Sequence, residues 1–233
     1  MVPKLVLFDL DGTLVDSAPD IAAALNAALA EIGQPTHSVG MVTTYVGDGA
    51  AKLVERSIRS TSPASEVDQA ALLERFKAQY AANVCVHTRL YPGVLEVLEA
   101  LHARPTPLAV LTNKPGDLAR SLLRALTLDR FFADVVGDGD GYARKPSPEA
   151  ALALVAKHEV GPADTLVVGD GIPDVRLGRA AGCRVAAVAW GYTSLEGLAL
   201  ERPDWIVDAP GELLELGSRR RDGNPRRPSG RCG

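Results

Sequence analysis

The sequence predicts an α/β fold: a doubly wound, mostly parallel sheet with a small all-helical domain inserted after the first strand. Three observations predict it. Six short apolar runs recur along the chain: KLVLFDL (4–10), PLAVLTN (107–113), ADVVGD (133–138), TLVVGD (165–170), RVAAVAW (184–190) and DWIVD (204–208). Their hydrophobicity is continuous rather than alternating, as in strands covered on both faces. Helical patterns lie between them, and one long stretch carries helical patterns alone.

The helices between the runs have apolar residues at three-and-four spacing: GVLEVLEALHA (93–103), DLARSLLRAL (117–126) and PEAALALVAKH (148–158). Ser147 followed by Pro148 fits an N-cap with a first-turn proline, and Glu149 adds a first-turn acid. From about residue 17 to 85 the pattern is helical throughout: DIAAALNAALAEIG, AAKLVERSIRS and EVDQAALLERFKAQYAANV. Ser17 and Asp20 resemble a capping pair opening the first of these. The domains expected are therefore 1–16 with 88–217 as an α/β core and 17–87 as a helical domain. The linkers fall near Val15–Ala18 and Thr88–Pro92.

Composition excludes several classes. Hydrophobic residues make up 46% and charged residues 23% of the 233 residues, ordinary values for a globular chain. No apolar run reaches membrane-span length, and the N-terminal MVPKLVLFDLDG lacks the layout of a secretory signal. Cys85, Cys183 and Cys232 are too scattered for a disulfide framework or a zinc site, which points to a reducing cytoplasm. The net charge of −4 conceals a basic tail: residues 218–233 hold six arginines against the single acid Asp222. With no aliphatic residue it is expected to be a disordered, solvated extension, and no nucleic-acid or membrane partner is expected.

Ligands of open parallel sheets bind beyond the carboxyl ends of the strands. The first run delivers Asp9 and Asp11 there, the second Thr112, Asn113 and Lys114, the third Asp138 with Lys145 a short loop later, the fourth Asp170 with Asp174 just beyond it. Crowded carboxylates need a cation or a shared proton. Oxygen-only ligands suit Mg²⁺ in contact with a phosphate, and a lysine and a hydroxyl can hold the phosphate's oxygens. The set points to phosphoryl chemistry. Asp138, within GDGDG, reads as part of a flexible loop, and Lys114 and Arg144 read as loop charges.

These residues carry a family resemblance. FDLDGTLVDS (8–17) resembles the first motif of the haloacid dehalogenase superfamily, and LTN (111–113), Lys145 in RKPSPE and GDGIPD (169–174) resemble the second, third and fourth, in order. The resemblance spans roughly residues 1–217 and implies a Rossmann-like core with a C1-type helical cap. It implies that Asp9 is a nucleophile forming an aspartyl-phosphate and that Asp11 is the general acid and base. It further implies Mg²⁺ held by Asp9, Asp11 (through its backbone carbonyl), Asp170 and Asp174, and a phosphoryl group clamped by Thr112 and Lys145. Gly12 and Thr13 would offer it backbone N–H groups, and Asn113 would also contact substrate. One departure is Gly171, where many relatives carry Ser or Thr.

Asp11 argues against a dehalogenase proper, which lacks that residue. A phosphonate hydrolase would need a cap lysine forming a Schiff base, but Lys52 and Lys77 lie in charged helical stretches that read as solvated faces. TTYVGDGAAKLVERSI (43–58) resembles the phosphoglycolate phosphatase branch, in which a VGxG segment starts a cap helix. Gly47, Gly49, Lys52 and Arg56 would then meet a small anionic substrate, although Asp48 stands where Asn is commoner. The expectation is a monomeric or dimeric Mg²⁺-dependent phosphatase of 2-phosphoglycolate. Alternatives are a hydrolase of pyrophosphate, a sugar phosphate or a nucleoside monophosphate, and, in a different class, a non-catalytic phosphate-responsive module. The second class is disfavoured by Asp11 and by the helical insert.

Overall fold

The computed structural model describes residues 2–61 and 67–216; the basic tail therefore lies outside the described residues. The chain opens with β1 (Leu5–Phe8), then β2 (Val15–Asp16), and enters four helices: α1 (Ala18–Glu31), α2 (Val39–Thr43), α3 (Ala50–Thr61) and α4 (Gln69–Ala82). It returns through β3 (Arg89–Leu90) to α5 (Val94–His102), β4 (Leu108–Pro115), α6 (Gly116–Ala125), β5 (Asp134–Asp138) and α7 (Glu149–Lys157). β6 (Thr165–Gly169), α8 (Ile172–Ala181), β7 (Arg184–Val188), α9 (Leu195–Leu200) and β8 (Trp205–Val207) follow.

All six expected runs form strands of one sheet, in the order β5-β4-β1-β6-β7-β8, every neighbouring pair parallel. Side chains alternate between two buried faces. Val6, Phe8, Val110 and Val168 pack with Leu98 of α5 and Leu122 of α6. Leu5, Leu7, Ala109 and Val167 pack with Leu154 of α7 and Val175 of α8. This three-layer burial is why the strands read as unbroken apolar runs. From β1 the chain builds outward to β4 and β5, then returns to β6 on the other side of β1. The switch point therefore lies between β1 and β6, at the tips that carry Asp9 and Asp170.

Helices α1 to α4 gather around an apolar cluster of their own, including Ile21, Leu25, Leu53, Val54, Leu72, Phe76 and Tyr80, with Leu118 of α6 packed into it. Two details differ from the sequence reading. The stretch is framed by a two-stranded antiparallel ribbon, Val15 opposite Leu90 and Asp16 opposite Arg89, so each linker is a strand. Two-residue strands carry no readable periodicity. Ser17 and Asp20 do not form a capping pair either. The Ser17 hydroxyl makes no cap hydrogen bond, and Asp20 accepts from the backbone N–H groups of Val86, His87 and Thr88 and from Thr88 Oγ1, at 2.7–3.0 Å. Asp20 thus joins the outgoing chain to the returning one. α7 starts at Glu149, one residue after Pro148, with Ser147 Oγ accepting from Glu149 N at 3.4 Å.

Candidate active site

β1 ends at Phe8 and the chain turns at once, with Gly12 at φ +85°. That conformation favours glycine. The space demands it as well, because a Cβ at Gly12 would lie 2.3 Å from Asp170 Oδ2. The turn sends Asp9 and Asp11 in different directions. Asp9 Oδ1 accepts from Leu10 N at 2.7 Å and pairs with Lys145 Nζ at 2.8 Å. Asp11 Oδ1 accepts from Ser17 Oγ at 2.5 Å and Lys114 Nζ at 2.9 Å, and its Oδ2 lies 3.1 Å from Lys114 Nζ. The two acids of the DxD pair therefore have separate cations.

Lys145 is buried and also reaches Asp174 Oδ1 at 2.7 Å. Its ammonium is held charged well above the ordinary lysine range: burial opposes this, and the Asp174 and Asp9 carboxylates overcome it. Asp174 sits in the first turn of α8 and takes Gly171 N on its Oδ2 at 3.0 Å. Asp170 accepts from Thr13 Oγ1 at 2.9 Å on one oxygen and from Tyr192 N at 2.8 Å on the other. Burial first, and the neighbouring carboxylates second, push Asp170 and Asp174 up to about 7.

Asp9, Asp170 and Asp174 each place a carboxylate oxygen within 4.8 Å of the others. Three acids and one lysine leave negative charge uncompensated in a buried cluster, which is the condition a divalent cation relieves. The donor set is all oxygen, as a hard cation requires. Glycines keep the approach to Asp170 clear: a Cβ at Gly191 would lie 2.1 Å from Asp170 Cβ, much as one at Gly12 would collide with the carboxylate. The residues fit a metal.

Thr112 is buried within β4, its Oγ1 accepting from Lys114 N at 3.2 Å. Asn113 turns its amide to the backbone: Oδ1 accepts from Lys145 N at 2.9 Å, and Nδ2 donates to Lys145 O at 3.1 Å and to Gly47 O at 3.0 Å. The N–H groups of Gly12 and Thr13, expected on a phosphoryl oxygen, are taken by Val15 O (2.8 Å) and Leu10 O (3.3 Å). Thr13 contributes its hydroxyl instead. Gly47 and Gly49 line a cavity of about 50 Å³ that opens onto Asp9, Asp11 and Thr112, walled on the insert side by Ile21, Val46, Leu53 and Phe76.

The two insert cations do not reach that cavity. Lys52 is exposed and pairs with Glu55 at 2.7 Å. Arg56 donates to Tyr45 O at 2.9 Å and pairs with Asp48. Arg144 is no solitary loop charge, since its Nε holds Asp138 Oδ1 at 2.8 Å and so ties down the glycine-rich loop. Lys114 departs most from its reading. It lies within β4, buried against Asp11 and stacked 4.3 Å from the Tyr80 ring centroid. Strand β4 runs on to Pro115, beyond the apolar run that marked it. Trp190 and Tyr192 carry no local signal, and Ser17 takes a role other than the cap its position suggests. Trp190 Nε1 donates to Thr13 O at 3.0 Å, Ser17 holds Asp11, and the Tyr192 hydroxyl accepts from Ser17 N and Ala18 N while donating to Asp16 at 3.1 Å.

A doubly wound sheet whose switch point gathers a turn-mounted carboxylate pair, a buried lysine and an acidic cluster fit for a cation suits a hydrolase. The chain belongs to the haloacid dehalogenase-like hydrolases, whose family model matches residues 3–182. A phosphoglycolate phosphatase of Haemophilus influenzae is 37% identical over 218 residues, covering 91% of this chain and 97% of the relative. One of Vibrio parahaemolyticus is 38% identical, at 91% and 95% coverage. Among solved structures, a predicted phosphoglycolate phosphatase from Haemophilus somnus superposes with a TM-score of 0.87 at 36% identity, over 92% of this chain and 97% of the other.

Proposed function

We propose that the protein is a Mg²⁺-dependent phosphoric monoester hydrolase that converts 2-phosphoglycolate to glycolate and phosphate. The observation that carries the chemistry is the division of labour at the tip of β1, with Asp9 facing Lys145 and the acidic cluster and Asp11 facing Lys114 and Ser17. In this reading Asp9 attacks phosphorus, and Asp11 donates a proton to the departing oxygen and later takes one from water. Lys145, bound to Asp9 and Asp174, orients the nucleophile and supplies positive charge for the transferring group. Thr112 stands beside the cavity with its hydroxyl available to the phosphoryl oxygens. Asp9, Asp170, Asp174 and the Asp11 backbone would hold Mg²⁺, which when bound neutralises the phosphate's charge.

The substrate reading rests on the curated relatives and on a small cavity with apolar walls and a cation at one end. The helices α1 to α4 act as the cap, α3 and its leading glycines forming the lid over Asp9. Among the described residues, Cys85 and Cys183 are free thiols, which supports a reducing cytoplasmic setting. The test is hydrolysis of 2-phosphoglycolate, pyrophosphate, sugar phosphates and nucleoside monophosphates, with Mg²⁺ and with EDTA. Phosphoglycolate is expected to lead in kcat/KM by about 100-fold, or roughly 2.7 kcal/mol. Activity spread evenly, or peaking on another ester, would leave a phosphatase with a different substrate.

A further inference from the structure

An anionic leaving group brings a chemical constraint. In phosphoglycolate a single methylene separates the bridging oxygen from the carboxylate. Asp11 must reach that bridging oxygen to protonate it. The carboxylate therefore lies within a few bond lengths of Asp11, and a buried carboxylate needs a cationic partner.

Lys145 is committed on the other side, to Asp9 and Asp174. Lys52 and Arg56 pair within the insert and do not line the cavity. Among the described residues that line it, Lys114 is the one with a cationic side chain. Its ammonium sits 2.9 Å from Asp11 Oδ1, beneath Tyr80, with a side chain only 5% exposed. An ammonium has three donors, so the pairing with Asp11 leaves capacity for a second acceptor.

We propose that Lys114 binds the carboxylate of the leaving group while holding Asp11 against the bridging oxygen, and so sets the enzyme's preference for an acidic substrate. The proposal rests on the phosphoglycolate reading and deepens it. Selectivity would thus be built into the core sheet, with the apolar cap residues closing over the methylene.

The test compares 2-phosphoglycolate with ethyl phosphate, which has an alkoxide leaving group of similar size and no carboxylate. Wild type, Lys114→Met, Lys114→Gln and Lys114→Arg are assayed on both. Any loss that acts through Asp11 falls on both esters and divides out of the ratio of their kcat/KM values. In Lys114→Met and Lys114→Gln that ratio is expected to fall about 10- to 100-fold, mainly through KM for phosphoglycolate. Lys114→Arg is expected to restore part of it. Turnover of ethyl phosphate shows that each variant is folded, and the glutamine variant serves if the methionine variant is insoluble. A wild-type preference that persists in the variants overturns the role of Lys114 alone. A wild type that does not favour phosphoglycolate over ethyl phosphate overturns the substrate reading, and this inference with it.

Discussion

The Ser17 hydroxyl donates to Asp11 Oδ1 at 2.5 Å, although Ser17 is the residue that opens helix α1. The entry to the insert is thus hydrogen-bonded to Asp11, the group proposed as general acid. The Ser17 backbone N–H is held in turn by the Tyr192 hydroxyl, two residues from Trp190, which grips Thr13 O. The entry to the insert and the strand-tip turn are one connected network, so the position of the insert is coupled to the orientation of Asp11.

Replacing Ser17 with Ala removes one charge-assisted hydrogen bond, worth about 1.5–3 kcal/mol in such settings. A bound water in its place would recover part of this. The expected result is a fall of about 5- to 50-fold in kcat/KM, which reports only the steps up to departure of the leaving group, on an alkyl phosphate such as phosphoglycolate, and a smaller fall in kcat/KM on p-nitrophenyl phosphate, whose leaving group needs little protonation. Equal losses on both esters would place the effect outside Asp11.

Asp20 is buried and receives three backbone N–H groups and the Thr88 hydroxyl from the returning linker. Burial alone would raise its carboxyl, but the bonds from Thr88, His87 and Val86 overcome this and hold it below the usual carboxylate range. Asp20→Ala leaves those donors unpaired and is expected to cost about 3 kcal/mol, read as a lower urea midpoint. Because the folded pKa is depressed, the stabilisation is present above the unfolded value of 3.8 and is lost as pH falls through the folded one. An unchanged midpoint would show the two linkers to be held elsewhere.

Asp170 and Asp174 predict a pH dependence of the opposite sign. Their folded pKa values stand near 7, raised from 3.8, so between those values the metal-free folded protein binds more protons than the unfolded chain. Metal-free stability should therefore fall as pH rises through that window. A divalent cation competes with those protons, so the rise in Tm on adding Mg²⁺ should be larger at about pH 8 than at about pH 5.5. A Mg²⁺ shift independent of pH would mean that these acids do not bind the ion.

Much of this was legible in the sequence, for identifiable reasons. Burial on both faces makes Val6, Leu7 and Phe8 all apolar, so each strand announced itself. DxDGT and GDGIPD sit at the tips of β1 and β6, LTN lies within β4 and RKP in the loop after β5, and the parallel topology brings these distant segments together. The illegible part depends on side-chain direction. Lys114 follows an apolar run and reads as a loop charge because the extension of β4 to Pro115 has no hydrophobic signature. Lys52 and Arg56 follow the expected glycines, yet both turn to acids of the insert. Tyr192 lies 175 residues from its partner Ser17, a pairing that no local pattern records.

Asp9 is the residue proposed to take the phosphoryl group. The most direct measurement is rapid acid quench of the enzyme turning over phosphoglycolate with Mg²⁺, followed by mass spectrometry of the peptide that contains residues 9–11. A phosphoryl adduct on Asp9 is expected at early times, with Asp9→Asn forming none and losing about a thousandfold or more in kcat. An Asp9→Asn enzyme that retains full turnover, with no adduct on the wild-type peptide at any quench time, would show that Asp9 is not the nucleophile.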